Sequence, residues 1–311
     1  MKSLSAENAL TRKTAKSLAS AHFWPLLGMI AVTLGIPLAL SMTVSLLLVP
    51  LVTRMPILYE MLALPVTVGV SILTCGLMMG LLSAMIGLCR DGEAVTVKAA
   101  FSRMRMTFKA FGLNMWIALK TFLWMLPGYG LMLLLMIVMI VMLVLMEYGA
   151  IEPLTRSDMD VFMLAFGGLM TLSMALMLAL GLPASYRYLL SLYILADKPD
   201  TRVFDCVKQS KAMMLGHKWQ AFKLTLPLCL TMFVVMLVTF VAFGAPMSMV
   251  SASPLLVILL GLALVLVCFA IALYYAVRMY LCTTIFYIKR VAEQPAPVPE
   301  AAPAEEIIPA E

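Results

Sequence analysis

Two histidines are the only imidazoles in the chain, His22 and His217, 195 residues apart. Neither has a cysteine or acid at metal-ligand spacing, so they read as polar anchors at the edge of a membrane. Cys75, Cys89, Cys206, Cys229, Cys268 and Cys282 contain no C-x-x-C pair. They read as small apolar residues inside helices, with no disulfide framework and no zinc site. No nucleophile elbow, phosphate loop or H-E-x-x-H occurs. The expectation is no catalytic residue, no metal, no cofactor and no enzyme. The sixteen acids lie in loops, tails or helix ends. A proton-coupled carrier would need one inside the bundle, which counts against that class.

The buried chemistry that remains is positive. Lys120, Arg187 and Arg278 each fall about nine to eleven residues, ~13–17 Å, from the cytoplasmic end of helices three, four and six. A base at that depth must snorkel, pair or face water. Snorkelling would run past Tyr186, Tyr188, Tyr274, Tyr275 and Tyr280. The sharper reading makes the three bases candidate contacts for an anionic lipid headgroup or another anion.

A second set sits at helix starts. Lys16, His22 and Trp24 match Lys211, His217 and Trp219 in spacing, and Arg103, Lys109 and Phe111 form a looser copy. Each copy immediately precedes an outward crossing. These nine residues read as interfacial anchors. The chain then divides into three units, each an amphipathic segment followed by a helical hairpin. The last two hairpins also end alike, with Tyr186, Tyr193 and Ile194 matching Tyr280, Tyr287 and Ile288.

The elements that position these residues follow from composition. Of 311 residues, 63% are hydrophobic and 12% charged. A soluble domain needs about twice that charge to build its surface, so a soluble enzyme and a disordered chain are both excluded. The net charge of +6 sits beside apolar runs, where positive-inside bias explains it without nucleic acid. Six runs are long enough to cross: Phe23–Val49, Leu62–Cys89, Thr107–Glu147, Val161–Leu195, Trp219–Phe243 and Pro254–Ile288. The third is read as one crossing kinked at Pro127-Gly128, not two. Gly181 and Pro183 suggest a kink in the fourth. The first is too long for a signal peptide and is expected to be retained.

Loops 50–61 and 148–160 carry one base each, and loop 244–253 none. Both termini are therefore expected on the cytoplasmic side of the membrane. Residues 1–22 form a basic amphipathic N-terminus, 23–290 the membrane domain, and 291–311 a Pro/Ala/Glu-rich tail expected to be disordered.

Within the approach segments, Val203, Cys206, Val207, Ser210, Met213 and Met214 make one helical face, with Asp200 and Thr201 offering an N-cap. In 95–111 the face is Val97, Ala100, Phe101, Met104, Phe108 and Phe111.

The stretch Tyr193-Ile-Leu-Ala-Asp197-Lys-Pro199-Asp200, followed by Ser210-Lys211 and Gly216-His217-Lys218-Trp219, resembles the signature of bacterial integral membrane proteins called domain of unknown function 975. Pro127-Gly128 and Phe286-Tyr287 are also similar to that family. Its Pro-Gly element, however, lies close before the Leu-Ala-Asp segment, where this chain has Gly181-Leu182-Pro183. The resemblance implies a protein of the bacterial inner membrane with no known activity, and so adds no catalytic residues. The expected fold is all-α, a polytopic six-helix bundle. The expected role is non-enzymatic, organising lipid or a partner protein at the cytoplasmic face. The alternative is a permease or channel for a small anion or lipid-like solute. The expected partners are membrane lipids, anionic ones among them, and not nucleic acid; a protein partner or a homo-oligomer stays open.

Overall fold

The computed structural model describes residues 2–149, 156–249 and 254–293. Among them the chain forms nine α-helices and two 3-10 turns, with no strand. The helices are α1 (Lys2–Ala21), α2 (Phe23–Arg54), α3 (Pro56–Asp91), α4 (Thr107–Glu147), α5 (Arg156–Tyr188), α6 (Ser191–Asp197), α7 (Val203–Met213), α8 (Lys218–Met249) and α9 (Pro254–Ala292). Six of them, α2, α3, α4, α5, α8 and α9, are long and apolar enough to cross a membrane, with mean hydropathy from 2.0 to 2.9.

Proline and glycine punctuate this path where sterics allow. Pro56 opens α3 at a position whose N–H is unpaired in any helix. Gly92, at φ 70°, closes α3 in the left-handed conformation. Pro127 removes one backbone donor but does not end the helix: α4 runs unbroken for 41 residues, so the long third run is one helix and not a hairpin.

Consecutive spans pack on each other as α2 with α3, α4 with α5 and α8 with α9. The α4–α5 contact is a reciprocal fit of methionine into glycine. A Cβ on Gly128 would lie 2.3 Å from Met177, and one on Gly181 would lie 2.5 Å from Met125. Ser173 adds a hydrogen bond from Oγ to the Gly128 carbonyl at 2.8 Å.

The core sits at one end of the bundle. Leu26, Met29 and Ile30 of α2, Leu77, Leu81, Met85 and Leu88 of α3, Leu190 and Leu195, and Val277, Leu281 and Tyr287 of α9 are buried there. The short elements α1, α6 and α7 close over that end. The far halves of the spans expose Leu46, Leu133, Leu164, Phe240 and Leu266, as apolar helices do when lipid is their solvent. Central to the bundle is α3, with 56% of its most apolar stretch buried against 6–17% for the other spans.

Three local expectations change. Residues 97–106 are not one helix but two 3-10 turns, Val97–Phe101 and Met104–Met106. Ala100 is buried, yet Phe101 and Phe108 point outward, with Phe108 75% exposed. The cause is tertiary: this segment rests on Gly76 and Gly80 of α3, where Ala100 and Thr107 take the space a side chain would need. Next, α7 begins at Val203 with Arg202 as its N-cap, so Asp200 and Thr201 do not cap it. Its buried residues are Cys206, Val207, Ser210 and Met213. Finally, the fourth run breaks after Tyr188 and resumes at Ser191. Arg187 is therefore in the last turn of α5, where a cation suits the helix dipole, and not deep within a helix. The tail from 294 onward and parts of loops 148–160 and 244–253 lie outside the described residues.

A candidate basic and aromatic site at the α1 end

Two polar knots tie the core end together. In the first, Arg90 at the end of α3 grips Asp197 at the end of α6 with both guanidinium arms, at 2.9 and 3.1 Å. Tyr287 of α9 donates its hydroxyl to the same carboxylate at 2.9 Å. Its ring lies 5.7 Å from that of Tyr193. Three elements separated by about ninety residues or more thus meet at one acid. Lys109 adds a fourth strand to this fastening by donating to the Pro199 carbonyl just beyond α6.

The second knot surrounds Arg290, whose side chain is only 6% exposed. It donates to Gln220 Oε1 at 2.8 Å, meets His217 Nε2 at 3.1 Å and pairs with Glu293. Its guanidinium also lies 5.1 Å from the Phe286 ring centroid. From α1, Asn8 donates to the Gln220 carbonyl at 3.2 Å and Glu7 pairs with Lys289. So α1 is fastened to α8 and α9, and His217 faces a protein partner.

The hydrogen bond from Lys289 holds the Glu7 carboxyl below its ordinary value, against some desolvation. A lowered carboxylate stabilises the fold above its ordinary range, and that contribution is lost as pH falls through the lowered value. Since Lys289 is 42% exposed, the contribution is about 0.5–1 kcal/mol. Glu7→Gln is expected to be less stable than the parent at pH 7, with the gap closing in acid. Thermal unfolding of both chains from pH 7 to below 4 checks this, and a gap that persists in acid would contradict it.

The bases singled out in the sequence rest on rings. Lys120 lies 5.0 Å from the Trp116 centroid and 5.9 Å from that of Tyr188. Arg187 lies 4.6 Å from Trp124, and Arg278 lies 5.9 Å from Tyr274. Packing of α4 on α5 brings the surroundings of Lys120 and Arg187 together. By contrast, α9 packs mainly on α1, α2, α3 and α8, which places Arg278 on another side. There it lines a cleft with Lys16 of α1. Of the remaining anchors, His22 joins α1 to α2, Trp24 is exposed, and Trp219 stacks on Phe222 at 5.1 Å. Arg103 caps the second 3-10 turn, Phe111 is half-buried and Lys211 is exposed.

A second cavity, of about 360 Å³, lies between α3, α5, α8 and α9 and is lined by Met78, Leu82, Tyr186, Tyr193, Thr225 and Tyr280 among others. Its polar groups are hydroxyls, with Tyr186 and Thr225 hydrogen-bonded to each other at 2.7 Å.

The sequence reading missed Arg90, Arg290, Glu7, Asn8 and Gln220. Asp197 and Tyr287 lie in the family-like stretches, where spacing alone assigns them no role. Among the described residues no group of three His, Cys, Asp or Glu side chains is placed to hold a metal. All six cysteines are free thiols, and burial pushes the Cys206 thiol up. Neither a curated protein nor a solved structure matches the chain. The family described as protein of unknown function (DUF975) matches it over residues 12–294, and the chain belongs to that family.

Proposed function

We propose that this is a non-enzymatic inner-membrane protein, with cytoplasmic termini, that organises anionic lipid at its cytoplasmic face. One observation carries the reading. Lys120, Arg187, Lys223 and Arg278 each lie over an aromatic ring, and none has a carboxylate partner among the described residues. All four fall in the half of the bundle capped by α1. Rings seat helices at headgroup depth. Unneutralised bases near the surface each gain about 1 kcal/mol from anionic lipid.

A three-unit organisation of the chain would fit the same picture. The matched tyrosines of the last two hairpins meet, Tyr193 against Tyr287 and Tyr186 beside Tyr280 at one cavity. Equivalent ends of repeated hairpins would thus meet at the α1 end of the bundle. The alternative, a permease for a lipid-like solute, draws on the 360 Å³ cavity, whose apolar walls suit an alkyl chain. The lipids that stay with the purified chain distinguish the readings. Anionic phospholipid enriched over the source membrane is the expected result, and a lipid profile equal to that membrane would sink it.

A further inference from the structure

We infer that Lys16 and Arg278 form a binding site for the phosphate of an anionic phospholipid, in the cleft between α1, the start of α2 and α9. This deepens the lipid reading above and rests on it. The cleft has a volume of about 510 Å³, within the range of built ligand sites. Its cations come from opposite ends of the chain, and its other walls include Ser20, Phe23, Trp24 and Tyr274. A single exposed lysine is ordinary. Two bases lining one cleft are not, because neither has a carboxylate partner among the described residues. An anion in the cleft would supply the missing opposite charge.

The floor says which anion. The rings of Trp24, Phe23 and Tyr274 run in contact, with centroids 5.6 and 6.2 Å apart, and Arg278 lies over the last of them. Such a rail marks headgroup depth. On the membrane side of it, Ile36 and Leu38 of α2 and Val265 and Leu266 of α9 are exposed and apolar, about one acyl-chain length from the bases. A soluble phosphate would use the two cations and leave that surface idle. A phospholipid uses both. The cleft is also preformed, since the Arg290 knot and the Glu7–Lys289 pair hold α1 in place, so little ordering opposes binding.

The test is thermal unfolding of the full chain in neutral detergent, titrated with phosphatidylglycerol, phosphatidylcholine or glycerol 3-phosphate. The expected result is a saturable rise in Tm with phosphatidylglycerol alone. Lys16→Gln and Arg278→Gln should each raise the half-saturating concentration about tenfold or more, as loss of a charge-assisted contact implies. Arg278→Lys, which keeps the charge, should recover most of the binding. Lys98→Gln and Lys208→Gln, exposed bases that do not line the cleft, should stay within about twofold of the parent. Lys16 is exposed, so its replacement leaves the fold intact. Equal effects of glycerol 3-phosphate or phosphatidylcholine would overturn the assignment, as would equal losses in the Lys98 and Lys208 variants. A double Lys16, Arg278 variant that still responds like the parent would remove this cleft while leaving the lipid reading standing. A parent chain that does not respond to phosphatidylglycerol would remove both.

Discussion

Gly80→Ala is expected to destabilise the chain by about 3 kcal/mol, although alanine is the better helix former. The added Cβ would lie 2.0 Å from the Ala100 carbonyl oxygen, 2.5 Å from its carbon and 2.7 Å from the Ala99 oxygen. These are backbone atoms of the first 3-10 turn, so no flexible side chain can swing away. Either that turn lifts off α3 or α3 bends, and both open the most buried part of the core. The gain in helix propensity, about 1 kcal/mol, is the smaller effect. Gly112 supplies the control: it lies in α4 with nothing within 4 Å of its would-be Cβ. Gly112→Ala should be neutral or stabilising by up to about 1 kcal/mol. Thermal unfolding of the two variants side by side measures the contrast, and equal stability would show that the 97–106 segment does not rest on Gly80.

Asp197→Asn is expected to cost about 2–3 kcal/mol. The change preserves shape but removes the charge that receives two Arg90 arms and the Tyr287 hydroxyl. Charge-assisted hydrogen bonds are worth roughly 1.5–3 kcal/mol each. The loss here is smaller than their sum because Arg90 is 41% exposed and can turn to water. Tyr287 has no such escape, being 1% exposed. A cycle with Arg90→Gln separates the pair from its surroundings. The double variant should be less destabilised than the two singles added together, by about 1–2 kcal/mol. Strict additivity would mean that the bridge contributes nothing to holding α3 and α6 together.

Much of the frame was legible because lipid-spanning helices carry their own signal. The six runs in the sequence correspond to the six long helices, and the 41-residue third run is one helix. The inward face of α7 was countable because Cys206, Val207, Ser210 and Met213 follow helical spacing. The 97–106 segment was not legible, since its pattern also suits a helix and the deciding contact comes from glycines of α3. Nor was the position of Arg187, because the break at Leu189 and Leu190 contains neither glycine nor proline. The knots at Asp197 and Arg290 are built mainly from residues 70 to 282 positions apart, and single-sequence periodicity carries no trace of such pairings. For the same reason the grouping of Lys16 with Arg278 emerged only when α1 was seen against α9, whereas Lys120 and Arg187 belong to the α4–α5 side.

The most direct test of lipid organisation at the α1 end is the lipid complement of the full chain, extracted from its own membrane in mild detergent and quantified against the bulk membrane. Anionic phospholipid should be enriched several-fold, and the enrichment should fall when Lys16, Lys120, Arg187 and Arg278 are replaced together by glutamine or methionine. A complement matching the bulk membrane, or one unchanged by the fourfold replacement, would contradict a lipid-organising role for these bases.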